Sequence, residues 1–140
     1  MQLRVIKIAG VVLVSYVLIV VAFESLIGYF QPETPGTLVL TTVGEDGAAA
    51  DRVLEALQSD GRLYVAVNHW PRAWYRRVLA NPGVQVTRDG AKRDYVAVPV
   101  ADEEHARVDR DHPRPLAFLF VTGFPPRRIV RLDDMDAHRR

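Results

Sequence analysis

From Ile8 to Phe23 the chain runs IAGVVLVSYVLIVVAF without a single charged side chain, and that stretch limits what the remainder can be. A bilayer core asks for about twenty apolar residues in one helix. With Leu26, Ile27, Tyr29 and Phe30 the run reaches that length, interrupted by Glu24. We read residues 1–30 as a membrane anchor containing one transmembrane helix, roughly Val5–Phe30. A secretory signal would have a shorter apolar region and a small-x-small cleavage site, and none follows Phe23. Arg4 and Lys7 flank the N-terminal end and Glu24 and Glu33 the other, so the positive-inside rule puts the rest of a single-pass chain on the exoplasmic side. Of 140 residues, about 110 remain, enough for one compact domain and too few for two.

Residues 31–36 (QPETPG) form a linker, because two prolines and a glycine permit neither helix nor central strand. The domain spans 37–132. Thr37–Val43 is rich in β-branched residues and reads as a strand that ends at the Gly44-Glu45-Asp46-Gly47 turn. Ala48–Leu57 is ambiguous: alanine, leucine and glutamate favour helix, whereas Val53, Glu55 and Leu57 alternate with Arg52, Leu54 and Ala56. On local propensity alone it is helical. Arg62–Asn68 is a strand, and Val84–Arg88 with Lys92–Val100 forms a hairpin across Asp89-Gly90, a pair suited to positive φ. Ala101–Asp111 suits a short solvated helix, with Asp102, Glu103 and Glu104 first and Arg107 and Arg110 last. Leu116–Thr122 reads as a buried apolar run, Gly123–Pro126 as a turn, Arg127–Leu132 as a last strand, and 133–140 as a frayed tail. About six short strands with a helix crossing between the third and fourth predict a mostly β domain, a small barrel with short helices behind an N-terminal transmembrane helix.

The net charge is only +1, which argues against nucleic acid as a partner. The charge is nevertheless uneven, since Arg72, Arg76, Arg77, Arg88, Lys92 and Arg93 crowd one region with Asp89 as the lone acid among them, a pattern that admits a small anionic ligand. No cysteine is present, so disulfides and thiolate chemistry are excluded. His69, His105, His112 and His138 have no metal-ligand spacing, and no metal site is expected. Nucleophile-elbow, P-loop and dinucleotide-binding motifs are absent.

What remains is the stretch Asn68–Val86, NHWPRAWYRRVLANPGVQV. Pro71 suits the first residue of a helix, and Asn81-Pro82-Gly83 stops it after Ala80. His69, Trp70, Trp74 and Tyr75 would line an aromatic slot, with Arg72, Arg76 and Arg77 offering forked donors to phosphate or carboxylate. The plainer alternative is that Trp74 is core, Trp70 and Tyr75 cap the barrel, and the arginines meet water.

These residues also carry a resemblance. The order Pro71, Trp74, Tyr75, Ala80, Asn81, Pro82, preceded by Thr41, Thr42 and Gly44, resembles the deazaflavin (F420)-dependent nitroreductase and quinone reductase family, over about Thr37–Val100 and more weakly to Leu132. The resemblance implies a flavin-reductase-like split β-barrel in which Ala48–Leu57 is a strand. It implies an oxidoreductase passing a hydride from reduced F420, or a flavin such as FMN, to an acceptor such as a quinone or nitro compound, and the N-terminal anchor would hold it at the membrane beside a lipophilic acceptor. Arg52, Asn68, His69, Arg72, Trp74 and Arg77 would contact the cofactor, and Tyr75 and His69 are candidate proton donors. One departure stands out. The family's basic G-R-x-[ST]-G-x-x-R phosphate turn is here Gly44-Glu45-Asp46-Gly47-Ala48-Ala49-Ala50, acidic and one residue shorter, with Arg52 as the nearest substitute on the same side of a strand. A non-catalytic barrel that binds or sequesters a ligand is the competing reading.

Overall fold

The computed structural model describes residues 2–30, 33–68 and 73–136 of the chain. Helix α1 (Gln2–Tyr29) is followed by β1 (Thr37–Val43), β2 (Ala49–Glu55), β3 (Leu57–Ser59) and β4 (Arg62–Val67). Helix α2 (Ala73–Ala80) then leads into β5 (Gly83–Arg88) and β6 (Ala91–Pro99), and α3 (Asp102–Asp111) and α4 (Leu116–Val121) precede β7 (Arg128–Asp134). Among the described residues the strands form one seven-stranded sheet in the order β2-β1-β5-β6-β7-β4-β3, with every pairing antiparallel.

That order contains its own closure. β2 and β3 occupy opposite edges of the sheet, yet Ala56 alone separates them in the chain. A flat seven-stranded sheet would hold its edges about six strand spacings of ~4.8 Å apart. The sheet must therefore curl until its edges meet, which makes it the half-barrel of a split-barrel fold. Side-chain alternation then sorts residues into an inside and an outside. Leu38, Leu40, Leu54, Val65, Val86 and Val130 fill the inside with Trp74 and Val78 of α2, whereas Leu57, Tyr64 and Ile129 pack outside against Val108 of α3. Both tight hairpins use an Asp-Gly pair at positive φ, Asp60 and Gly61 (50° and 70°) and Asp89 and Gly90 (51° and 76°), whose twist matches that of the flanking strands.

Ala48–Leu57, helical by local propensity, is strand: β2 pairs along its whole length with β1, from Val43↔Ala49 to Thr37↔Glu55. Tertiary pairing overrides propensity here. The strand beyond the six expected is β3, three residues long. α3 is not merely solvated. Val108 is fully buried, and on the same helix Glu104 receives Arg131 Nη1 at 2.9 Å on both oxygens and the Tyr64 hydroxyl at 2.8 Å. The run Leu116–Thr122 is also different from expectation, being a helix that lies largely outside the core: Leu116 is 79%, Phe120 55% and Phe124 59% exposed, and only Thr122 is buried. A short apolar run does not distinguish a buried strand from a helix by periodicity alone. α4 instead meets α1, with the Tyr16 and Phe120 rings 4.9 Å apart and the Tyr16 hydroxyl donating to Phe120 O at 2.8 Å. α1 itself is long and apolar enough to cross a membrane over Gln2–Ile27, with mean hydropathy 2.7 and no residue of its apolar window buried.

Glu104 is the acid that joins α3 to β4 and β7. Desolvation pushes its carboxyl upward, but hydrogen bonds from Arg131 and Tyr64 and the fields of Arg131 and Arg62 outweigh this and hold it below the ordinary value. A carboxylate depressed in the folded state contributes stability that is complete above its unfolded pKa and lost as pH falls through the folded one. Stability of the chain in detergent should therefore fall as pH drops below the usual glutamate range, and Glu104→Gln should flatten that dependence. An unchanged acid limb in the variant would show that α3 is held by other means.

Candidate functional site

The end of α2 is set by its sequence. Asn81 N–H donates to Arg77 O at 2.7 Å, and the Asn81 side chain then accepts from Gly83 N–H at 3.3 Å, turning the chain into β5. Trp74 and Val78, four residues apart, share the buried face. Trp74 is 6% exposed and meets the Tyr75 ring edge-on at 5.9 Å. Arg76 is exposed and Arg77 half-buried on the other side.

Between this helix and the β1–β2 edge lies a cleft of about 270 Å³ lined by Thr42, Ala50, Asp51, Arg52, Trp74 and Arg77, with Ala73 at its rim. Arg52 reaches it from β2 and Arg77 from α2, so two guanidinium groups converge from separate elements. Burial lowers the Arg52 guanidinium from its ordinary pKa. Asp51 is held by the Thr41 hydroxyl at 2.6 Å, and among the described residues no carboxylate pairs with Arg77. Arg77 also overhangs the β1–β2 turn, its Nε 3.7 Å from where a Cβ on Gly44 would sit. Three of the turn's amides are engaged: Gly44 N–H donates to Ala48 O at 2.9 Å, Gly47 N–H to Gly44 O at 3.0 Å, and Ala48 N–H to Asp46 Oδ1 at 3.0 Å. An anion entering here would be gripped by side chains rather than by the turn.

The site residues expected from the sequence do not all assemble at this cleft. Arg52, Trp74 and Arg77 line it together. Tyr75 is half-buried against the inner core. His69 and Arg72, with Trp70 and Pro71, lie outside the described residues. Asn68, just after β4, lines a different cleft of about 360 Å³ with Glu55, His112, Arg114, Phe118 and Arg127, and its Oδ1 is buried and, among the described residues, has no hydrogen-bond partner. The Arg127 side chain there is 3% exposed and donates to Asp109 Oδ1 at 2.8 Å and to His112 O at 2.6 Å. Arg114 donates to Pro125 O at 3.1 Å, and burial, then the charge of Arg127, lowers its pKa. Sequence reading passed over these two arginines, although the alternation of β7 puts Arg127 in step with Ile129 and Arg131 on the face that α3 covers with acids. The remaining basic residues are dispersed. Arg88 and Arg93 line a third cavity beside the β5–β6 hairpin, where each is within ion-pair distance of an acid, Asp89 at 3.6 Å and Asp134 at 3.7 Å. Among the described residues no cluster of histidine and carboxylate side chains could hold a metal ion.

A family model described as F420H(2)-dependent quinone reductase matches residues 15–115. No curated protein sequence matches the chain. Among solved structures, an F420-H2 dependent reductase superimposes with a TM-score of 0.55 at 19% identity, over 71% of this chain and 95% of that one. The heme storage protein HutZ of Vibrio cholerae does so with a TM-score of 0.54 at 19% identity, over 71% and 81%. A conserved hypothetical protein of Mycobacterium tuberculosis gives 0.53 at 17% identity, over 73% and 74%. At such identities the likeness concerns the fold.

The packing of Trp74 has a direct optical consequence. In a chain carrying Trp70→Phe, the sole remaining tryptophan should emit at short wavelength and resist quenching by iodide. Red-shifted, readily quenched emission would contradict the packed wall between α2 and the barrel.

Proposed function

This chain belongs to the F420H(2)-dependent quinone reductase family, and on that premise we propose that it is a membrane-anchored reductase delivering a hydride from a reduced deazaflavin, or from a reduced flavin such as FMN, to a lipophilic acceptor of quinone or nitro type. The observation that carries this reading is the convergence of Arg52 and Arg77 on one cleft beside Trp74. The pair fits the anionic part of such a cofactor. When bound, the cofactor supplies the hydride, and the protein supplies orientation and electrostatics. Arg52 from the strand and Arg77 from the helix would hold a phosphate or carboxylate from two sides, Trp74 would form the apolar wall, and Arg72 and His69 would extend the site from the neighbouring segment. Tyr75 and His69 are the candidates to donate the proton that acceptor reduction also consumes. The anchor serves the same chemistry, since a barrel held at the bilayer meets a membrane-dissolved acceptor at raised effective concentration. Contact between Tyr16 and Phe120 favours a retained α1 over a cleaved one, and Arg4 and Lys7 favour an exoplasmic domain.

A second reading has one observation in its favour. Asp46 puts a carboxylate on an amide of the turn, and such a turn suits a barrel that binds or sequesters a ligand without turning it over.

Titrating the full chain in detergent with F420 and with FMN, followed by fluorescence quenching, should give saturable binding of at least one. Arg52→Ala and Arg77→Ala should each weaken it about tenfold or more, the usual cost of a charged hydrogen bond. Failure of both cofactors to saturate would overturn the reductase. Saturable binding without reduction of a soluble quinone by the reduced cofactor would favour sequestration. Orientation is tested separately by a reporter fused after Arg140 that is active only outside the cytoplasm. Activity is expected, and a silent, well-expressed fusion would place the domain inside.

A further inference from the structure

We propose that α4 is a second membrane contact: Leu116, Phe120 and Phe124 lie in the acyl region of the bilayer beside α1. This rests on α1 being a retained anchor and adds how deeply the domain is seated.

The surface is apolar, exposed and continuous with α1. Leu116, Phe120 and Phe124 are among the most exposed large apolar residues outside α1. α4 touches α1 through the Tyr16–Phe120 ring contact and through Gly123, where an added Cβ would come within 3.2 Å of Val20. Phe124 holds positive φ (54°), an uncommon conformation for a bulky residue, and the outcome is a ring left exposed.

Helix length sets the depth. Tyr16 lies midway along α1 and Val20 one turn further on, and the helix ahead of Tyr16 supplies roughly 20 Å at 1.5 Å per residue. A hydrocarbon core is ~30 Å thick. A span that crosses it while Tyr16 and Val20 hold α4 must carry α4 into lipid.

The backbone of α4 is already suited to a medium without water, where each polar group needs an internal partner. Three of its last four carbonyls are occupied. Phe118 O accepts from Thr122 N–H at 3.0 Å and from the Thr122 hydroxyl at 2.7 Å. Leu119 O accepts from Phe124 N–H at 2.8 Å and the Thr122 hydroxyl at 3.3 Å. Phe120 O accepts from Gly123 N–H at 3.4 Å and the Tyr16 hydroxyl at 2.8 Å, which also satisfies the phenol.

The chain contains no cysteine, so single cysteines can report their surroundings one at a time. Leu13→Cys in α1, Leu116→Cys and Phe124→Cys at α4, and Asp89→Cys on the far hairpin would each carry a nitroxide. The full chain would be reconstituted in phosphatidylcholine–phosphatidylglycerol vesicles. Collisions with oxygen, which partitions into lipid, are compared with those of a water-soluble nickel chelate. The labels at 13, 116 and 124 should favour oxygen, and the label at 89 should favour nickel. Nickel at 116 and 124 with oxygen at 13 would overturn this inference and leave the anchor standing. Nickel at all four would overturn the anchor and this inference with it. Labels at 116 and 124 shielded from both reagents would mean that protein covers α4, a second copy included, and would also overturn the lipid contact.

Discussion

Ala56 is the residue on which the architecture turns. It joins the two outermost strands of a seven-stranded sheet, so the sheet has no arrangement in which it lies open. The alternation runs through the joint without a break: Leu54 and Ala56 face the inner core, Leu57 the outer cluster. β2, Ala56 and β3 thus act as one strand shared between two edges. Curling in turn creates the inside that Trp74 and Val78 of α2 complete, and it brings the β1–β2 edge beneath that helix, where Arg52 and Arg77 meet.

The two faces of the barrel are stabilised differently. Inside, burial of aliphatic side chains is the dominant favourable term. Outside, α3 is tied down by a charged network in which Arg131 bridges Glu104 and Asp133, while Arg107 reaches Ser59 and Tyr64 and Ser59 bonds Asp111. Hydrogen bonds donated to Asp133 and Glu104 raise the Arg131 guanidinium above its ordinary pKa. Breaking one partner of such a network strands the others, which makes it a fastening for one helix position. On the inner edge, Arg52 and Arg77 line a cleft.

Much of this was legible in the residues themselves. Asn81-Pro82-Gly83 marks the end of α2, Asp89-Gly90 marks a hairpin, and the charge-free stretch from Ile8 marks α1, because each depends on local geometry or on composition. Ala48–Leu57 was not legible from propensity. Its strand identity comes from pairing with β1, a partner that no local window contains, and it was the resemblance that pointed to it. Leu116–Thr122 was misread for a related reason: its apolar side chains are matched by α1, about a hundred residues earlier in the chain. At the candidate site, Arg52, Trp74 and Arg77 were readable as positions, but their meeting depends on the curl. The separation of Asn68 from them depends on it too, along with the burial of Arg127.

The β1–β2 turn carries its own occupant. Asp46 Oδ1 sits on the Ala48 amide from two residues away, so an anion seeking that amide competes with a tethered carboxylate whose local concentration is on the order of millimolar or more. A singly charged visitor gains little from the exchange. A group with several oxygens and more charge, able to engage Arg52 and Arg77 while leaving Asp46 in place, would not have to compete at all. On the proposed reading, the turn would favour ligands by their charge and reach.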